Sequence, residues 1–317
     1  MPASMSGNDS SRGRITVIIP TLNGAFWLED VFTMLAAQTL CPAEVLVVDS
    51  GSTDSTIAIA RRYGARIVEI CKHDFDHGAT RSMAARMATT DILVFMTQDA
   101  VPADEHALSR LVAPLGKNRV AASYGRQLPC HNATVFGRHL RLFNYPAESH
   151  VFCFESRQRH GFKTIFISNS FAAYQRDVLL AQGCFDEHLL FGEDTLAVAK
   201  MLGNGYCVAY VSEAMVYHSH DYSIVQDCKR YFDIGAFHAC QQEHLAAYGG
   251  PGGTGRAYVL SLLTMLIQDR KLHLLFEAIL RVAGKFISYQ LGKRYAWLPT
   301  SLARRLSMNS DWWTREA

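Results

Sequence analysis

ITVIIPTLNGAFWLEDVFTMLAAQTLCPAEVLVVDSGSTDST, residues 15–56, decides the fold class. Two short runs rich in Val and Ile, 15–19 and 45–49, flank a segment with helical spacing at 26–37, and each run ends in small and polar residues. That is a strand–helix–strand unit of a parallel sheet. The alternation continues, with strands predicted at 65–70, 92–97 and 120–124 and helices at 55–63, 79–88 and 103–115. The fold class is therefore α/β, with a mostly parallel central sheet flanked by helices. Ligands of such sheets collect beyond the carboxyl ends of the strands. The loops Pro20-Thr21-Leu22-Asn23-Gly24, Asp49-Ser50-Gly51-Ser52-Thr53-Asp54 and Thr97-Gln98-Asp99, with the loop before Arg81, are expected to face one crevice.

Outward from this core the text changes character. Residues 126–163 interleave aromatic and basic side chains without clear periodicity and read as irregular structure on an acceptor side. A strand-like run follows at 164–174, then a helix at 176–182, the loop Leu189-Leu190-Phe191-Gly192 and a helix opening at Glu193-Asp194. Two short strands are predicted at 206–211 and 214–218, and helical text resumes at Ile224, broken by the Gly-rich 249–253. The expected organisation is a disordered leader at 1–13, a catalytic domain at 14–223 whose halves meet near 125/126, and a helical C-terminal extension at 224–317.

Composition limits the functional classes. A chain of 317 residues, 49% hydrophobic, has enough apolar material for a large core. Its net charge of +2 argues against a nucleic-acid binder, which would carry a marked basic excess. The eight cysteines stand singly, without a CxxC pair, and read as free thiols in a reducing cytoplasm. The longest apolar stretch, 257–267, falls short of the roughly 20 residues a spanning helix needs, so no transmembrane segment is expected. The GxGxxG that a nicotinamide dehydrogenase would carry after its first strand is absent.

The segment VIIPTLNGAFWLEDVFTMLAAQT with EVLVVDSGSTDST resembles the opening of the family 2 glycosyltransferases of GT-A fold, and the resemblance extends to about Ser223. It implies an inverting enzyme that takes a sugar from a nucleotide diphosphate. By that resemblance Pro20, Thr21, Asn23, Asp49, Ser50 and Gly51 would hold the donor nucleoside, with Gln98 and Asp99 beside them, and Arg81 would reach the diphosphate. A guanidinium suits phosphate oxygens because it is always charged and bonds bidentately.

The departing diphosphate gathers negative charge, which calls for Mg²⁺ or Mn²⁺. Asp99 is the expected ligand, although relatives often carry two acids there and this chain reads Thr97-Gln98-Asp99. His218 in VYHSHDYS would assist, with His220 as the second choice. Direct displacement also needs a base for the acceptor hydroxyl. The resemblance assigns this to Asp194, supported by Glu193, at a helix N-terminus that favours ionised acids; Asp186 reads as structural. Asp49, Asp99 and Asp194 are thus expected to converge on one pocket.

Ser168-Asn169-Ser170, read with TQDA and the acidic pair, looks most like the rhamnosyltransferase branch, implying dTDP-L-rhamnose as donor. The runner-up is a UDP-sugar hexosyl or N-acetylhexosaminyl transferase, and a lapsed nucleotide- or glycan-binding module is the non-enzymatic alternative. The implied acceptor is a glycan on a polyprenyl diphosphate carrier, as in O-antigen-like surface polysaccharide. From Asp269 onward Arg270, Lys271, Arg281, Lys285, Lys293, Arg294, Arg304 and Arg305 alternate with apolar residues. Such helices suit peripheral contact with the inner face of a membrane.

Overall fold

The computed structural model describes residues 14–249 and 252–315; the predicted leader at 1–13, and Gly250 and Pro251 of the Gly-rich break, lie outside the described residues. Its centre is a nine-stranded sheet of β1 (Ile15–Thr21), β2 (Glu44–Asp49), β3 (Arg66–Glu69), β4 (Ile92–Met96), β5 (Val101–Pro102), β6 (Val120–Leu128), β7 (His150–Phe152), β8 (Phe171–Gln175) and β9 (Cys207–Tyr217). The order is β3-β2-β1-β4-β8-β6-β9-β5, with β7 added beside β9. Strands β1 to β4 are mutually parallel. β8 then runs against both β4 and β6, while β9 is parallel to β6. The sheet is therefore mixed: β8 interrupts an otherwise common direction, and β5 and β7 oppose β9 at the far edge.

Alternation along the central strands builds a core on each face. Leu93 and Phe95 of β4 join Ile18, Tyr174 and Phe185 on one side. Ile92, Val94 and Met96 join Val17, Ile19 and Leu108 on the other. With both faces covered, β4 is buried throughout, which is why it reads as a continuous apolar run.

Three sequence expectations change. The 164–174 run is a strand only from Phe171, because the preceding turns carry the chain to the sheet end. The two short strands after 206 are one, β9, whose register against β6 jumps between Gly125 and Arg126. The "irregular" 126–163 contains the end of β6, a helix at Val135–Asn144 capped by Thr134 and the short strand β7.

The thiol expectation also fails for two residues. Because Phe152 pairs with Val208 across β7 and β9, Cys153 falls next to Cys207, and the two form a disulfide with Cα atoms 4.3 Å apart. Cys41, Cys71, Cys130, Cys184 and Cys228 remain free thiols.

The C-terminal helices pack over the acceptor side. Ile224–Cys240 lies against Leu275–Gly292, where backbone meets backbone: a Cβ on Gly292 would fall 2.0 Å from the Phe232 carbonyl oxygen. Phe232 and Ala236 also bury Leu190, Ala303 and Trp313, which ties the extension to the loop before Glu193. Among the described residues no helix is long and apolar enough to cross a membrane.

Candidate functional site

One cavity of about 2240 Å³ opens at the carboxyl ends of β1, β4, β6 and β9. Because β8 is antiparallel, its amino end arrives there too, and Ser168-Asn169-Ser170 joins the wall. Of the predicted residues, Pro20, Thr21, Ser50, Arg81, Gln98, Asp99, Glu193, Asp194, His218 and His220 line the cavity. Asn23, Asp49 and Gly51 do not.

The physical reason is that the donor-side loops use those groups on one another. Asp49 is fully buried and accepts hydrogen bonds from the Gly51 and Ser52 amides at 3.0 and 2.8 Å, and from the Thr21 and Ser52 hydroxyls at 2.8 and 2.6 Å. Asn23 Oδ1 accepts from the Thr53 amide at 2.8 Å. Asp54 accepts from the Ala25 and Thr56 amides, locking the first loop to the second. Asp49 thus stands one layer behind the cavity wall, and the expected three-way convergence reduces to Asp99 and Asp194.

Gln98, between Thr97 and Asp99, clamps the two loops: its Oε1 accepts from the Leu22 amide at 2.9 Å and its Nε2 donates to the Leu22 carbonyl at 3.1 Å. A Cβ on Gly24 would lie 2.4 Å from that Oε1, so a larger residue there would push the Gln98 side chain out of its clamp.

Asp99, His218 and His220 place one ligand atom each within 4.8 Å of one another. His218 Nε2 lies 3.4 Å from Asp99, and His220 Nε2 lies 3.9 Å from it. Burial opposes the charge on Asp99, but His218 and His220 hold its carboxyl far below the usual range. Burial, and then the neighbouring His218, push the His220 imidazole down to about 4.

Gln127 supplies the outer support. Its Oε1 takes a hydrogen bond from Arg141 at 2.7 Å, and His218 Nδ1 stands 2.9 Å from the same oxygen. An amide oxygen can only accept, so Nδ1 carries a proton; the neutral imidazole then offers its Nε2 lone pair to a metal, and without one a proton at Nε2 is what pairs with Asp99. One carboxylate and two imidazoles, completed by phosphate and water oxygens, form a mixed donor set that fits Mn²⁺ better than the oxygen-preferring Mg²⁺.

The acidic pair opens the Glu193–Gly203 helix after Gly192, whose φ of 83° and close contact with Phe237 admit no side chain. The two acids differ sharply. Burial works against ionised Glu193, yet Arg81 donates to it at 2.7 Å and holds its carboxyl below the usual value. Arg81, expected on a diphosphate, is instead almost fully buried in that ion pair, because the helix bearing it packs beneath the acids. Burial first, and then the charge of Glu193, push Asp194 up to about 7. Its oxygens accept from the Asn169 and Thr195 amides at 3.1 and 2.7 Å.

Asn169 also donates to Glu193 at 3.3 Å and accepts from Tyr174 at 2.9 Å, so one residue positions both acids. The supporting roles of Gln127 and Arg141 have no signal in the sequence beyond their polarity, and Asn169 stands out there only as part of Ser168-Asn169-Ser170. Asp186 pairs with Lys200, the structural role expected.

Residues 16–181 match the family described as glycosyl transferase family 2. The chain is 40% identical over 303 residues to the O-antigen chain rhamnosyltransferase RfbN of Salmonella typhimurium, covering 95% of this chain and 96% of that protein. It is 40% identical over 301 residues to the O-antigen chain rhamnosyltransferase WbaN of Salmonella anatum, covering 94% and 95%. Among solved structures, the mannosyltransferase PcManGT of Pyrobaculum calidifontis, in complex with GDP-Man and Mn²⁺, aligns with a TM-score of 0.62 at 18% identity over 94% of this chain and 92% of that one. The glucosyl-3-phosphoglycerate synthase of Mycobacterium tuberculosis, in complex with Mn²⁺, UDP and glucosyl-3-phosphoglycerate, aligns at 0.52 and 17% over 74% and 81%. These last two share the fold.

Proposed function

This chain belongs to glycosyl transferase family 2, and on that premise we propose that it moves L-rhamnose from dTDP-L-rhamnose onto a hydroxyl of a glycan carried on a polyprenyl diphosphate, in O-antigen-like polysaccharide synthesis. It is a glycosyltransferase, with the GT-A fold and inverting chemistry of its family. In this reading residues 14–223 are the catalytic domain and 224–317 complete its acceptor side at a membrane surface. The near full-length identity to two rhamnosyltransferases supports the sugar.

The observation that carries the chemistry is Asp194, held near a pKa of about 7 in the cavity that Asp99 and His218 share. A base is most effective when its pKa lies near the working pH. Asp194 takes the proton of the acceptor hydroxyl as that oxygen bonds to the anomeric carbon from the face opposite the nucleotide. The bond from carbon to diphosphate breaks, dTDP departs, and the configuration inverts. The charge of Glu193, offset only in part by Arg81, keeps Asp194 basic, and Asn169 holds both acids in place.

Asp99, His218 and His220 would hold a divalent cation, which when bound offsets charge on the leaving diphosphate. Arg141 and Arg230, both on the cavity wall, take the diphosphate role first expected of Arg81. Pro20, Thr21 and Ser50 form the nucleoside wall, with Asp49, Asn23 and Gly51 shaping it from behind.

The test is a thermal-shift panel of nucleotide sugars with Mn²⁺ or Mg²⁺, followed by transfer to a lipid-linked glycan and NMR of the new linkage. Preferential stabilisation by dTDP-L-rhamnose and an inverted product support the reading. Stabilisation by a UDP-sugar instead would transfer the assignment to the hexosyl or N-acetylhexosaminyl alternative.

A further inference from the structure

The same cavity extends well beyond the acids, along the C-terminal helices. On the Leu275–Gly292 helix and the residue after it, Ile279, Val282, Phe286, Tyr289 and Lys293 all line it. Their spacing of three or four residues puts them on one helical face. That face is graded. Its first half is apolar, and its last turn carries a phenol and then an ammonium.

The polar end points toward the chemistry. Tyr289 Oη lies 3.0 Å from His238 Nδ1, and Phe237, next to His238, stacks near Phe191 with ring centroids 4.8 Å apart and closes over Gly192. Glu193 and Asp194 follow directly. Arg256, on the facing Gly252–Gln268 helix, lines the same region. Among the described residues no carboxylate forms an ion pair with Arg256 or Lys293, whereas Arg281 and Lys285, which look equally basic in the sequence, are engaged by buried Asp227.

The apolar end opens outward. Ile279 and Phe286 line the cavity yet are 61% and 64% exposed, and Phe276, Leu280 and Ile287 continue the apolar surface beside them. An apolar face that lines the catalytic cavity while staying open to solvent, with two exposed and uncompensated cations at its Tyr289 end, suits an anionic amphiphile and not a free sugar.

We infer that this face is the binding site for the carrier end of the acceptor: Lys293 and Arg256 take its diphosphate, and Phe286 and Ile279 take the first units of its hydrocarbon chain, which leaves toward the membrane over Phe276. The inference rests on the lipid-linked acceptor proposed above and assigns its recognition to residues outside the family-matched segment. In order from Asp194, the cavity then holds the acceptor sugar among Phe191, Phe237 and Tyr289, the diphosphate, and the lipid.

The experiment uses the full chain and a glycan-free probe, geranylgeranyl diphosphate below its micellar concentration, with binding read by intrinsic fluorescence. Geranylgeraniol and inorganic diphosphate are measured beside it, and dTDP-L-rhamnose binding is followed separately by thermal shift. The expected result is saturable binding of the lipid diphosphate at least tenfold tighter than either fragment. Ile279→Ser with Phe286→Ser, and separately Arg256→Gln with Lys293→Gln, should each weaken it about tenfold or more. These side chains are exposed enough that the fold survives, and an unchanged circular dichroism spectrum verifies this. Equal affinity for the alcohol, no saturable binding, or binding indifferent to both double variants overturns the inference. Failure of dTDP-L-rhamnose to bind while the lipid diphosphate does would count against the donor reading and leave this site standing.

Discussion

The loops on the donor side and the wall on the acceptor side meet in one cavity but are built on opposite principles. On the donor side, Asp49, Asn23, Asp54 and Gln98 all have partners within the loops themselves. On the acceptor side two carboxylates sit side by side with one guanidinium, which pairs with Glu193, and buried Arg81 Nε has no hydrogen-bond partner. A satisfied network makes a rigid shape, whereas an unbalanced one shifts pKa values and marks where chemistry occurs. In the function proposed here the donor loops are a mould and the acid pair is the reactive part.

The sharpest way to break this contrast is Asp194→Asn. Loss of the base should lower turnover about 10³-fold while leaving donor binding intact. The same change should raise stability. Asp194 has a folded pKa of about 7 against an ordinary 3.8, so the fold favours its protonated form, and the wild type loses stability as pH rises through that interval. The variant should therefore melt higher than wild type above pH 7, with the gap closing toward pH 4. In the wild type, kcat/KM should rise about tenfold per pH unit below 7 and level off above it, as expected of a base that must be ionised. A flat profile, or a variant that melts lower at pH 8, would contradict the role.

Removing the guanidinium instead tests which acid it serves. Arg81→Met leaves Glu193 buried without a counter-ion, and breaking a buried pair in this way costs about 3–5 kcal/mol. Denaturant unfolding should show that loss. If Arg81 acted on the diphosphate, its loss would raise the donor Kd and leave stability nearly unchanged.

A smaller effect is expected at the cation site. Gln127→Leu removes the acceptor that fixes the His218 tautomer and should weaken Mn²⁺ binding about 10–100-fold by calorimetry, the usual range for outer-shell partners. Unaltered affinity would mean that His218 does not ligate.

The same contrast explains what could be read in advance. Strands β1, β2 and β4 and their loops were legible because a buried parallel strand is a continuous apolar run and its loop chemistry is local. The reversal at β8 was not, since a five-residue strand looks the same in either direction. Asp194 stands out by resemblance, but the pairing of Arg81 with Glu193 does not: an arginine on a helix carries no mark in the sequence of facing an acid 112 positions away. Likewise Arg281 and Lys285 read as a basic surface with Lys293, and only packing on Asp227 separates buried charge from available charge.

The smallest predicted effect concerns Gln98, the residue between Thr97 and Asp99. Gln98→Glu would add a second carboxylate of nearly the same length, and a metal-centred reading expects tighter Mn²⁺ binding. The clamp predicts otherwise. A carboxylate can still accept from the Leu22 amide, but it cannot donate to the Leu22 carbonyl 3.1 Å away, and two acceptors would then face each other. The loss should be about 1–2 kcal/mol of stability, with no gain in cation affinity, because an oxygen held at Leu22 does not turn toward Asp99. Thermal melting and Mn²⁺ calorimetry on the single variant separate the two outcomes. Tighter binding at unchanged stability would move Gln98 from the mould to the metal site.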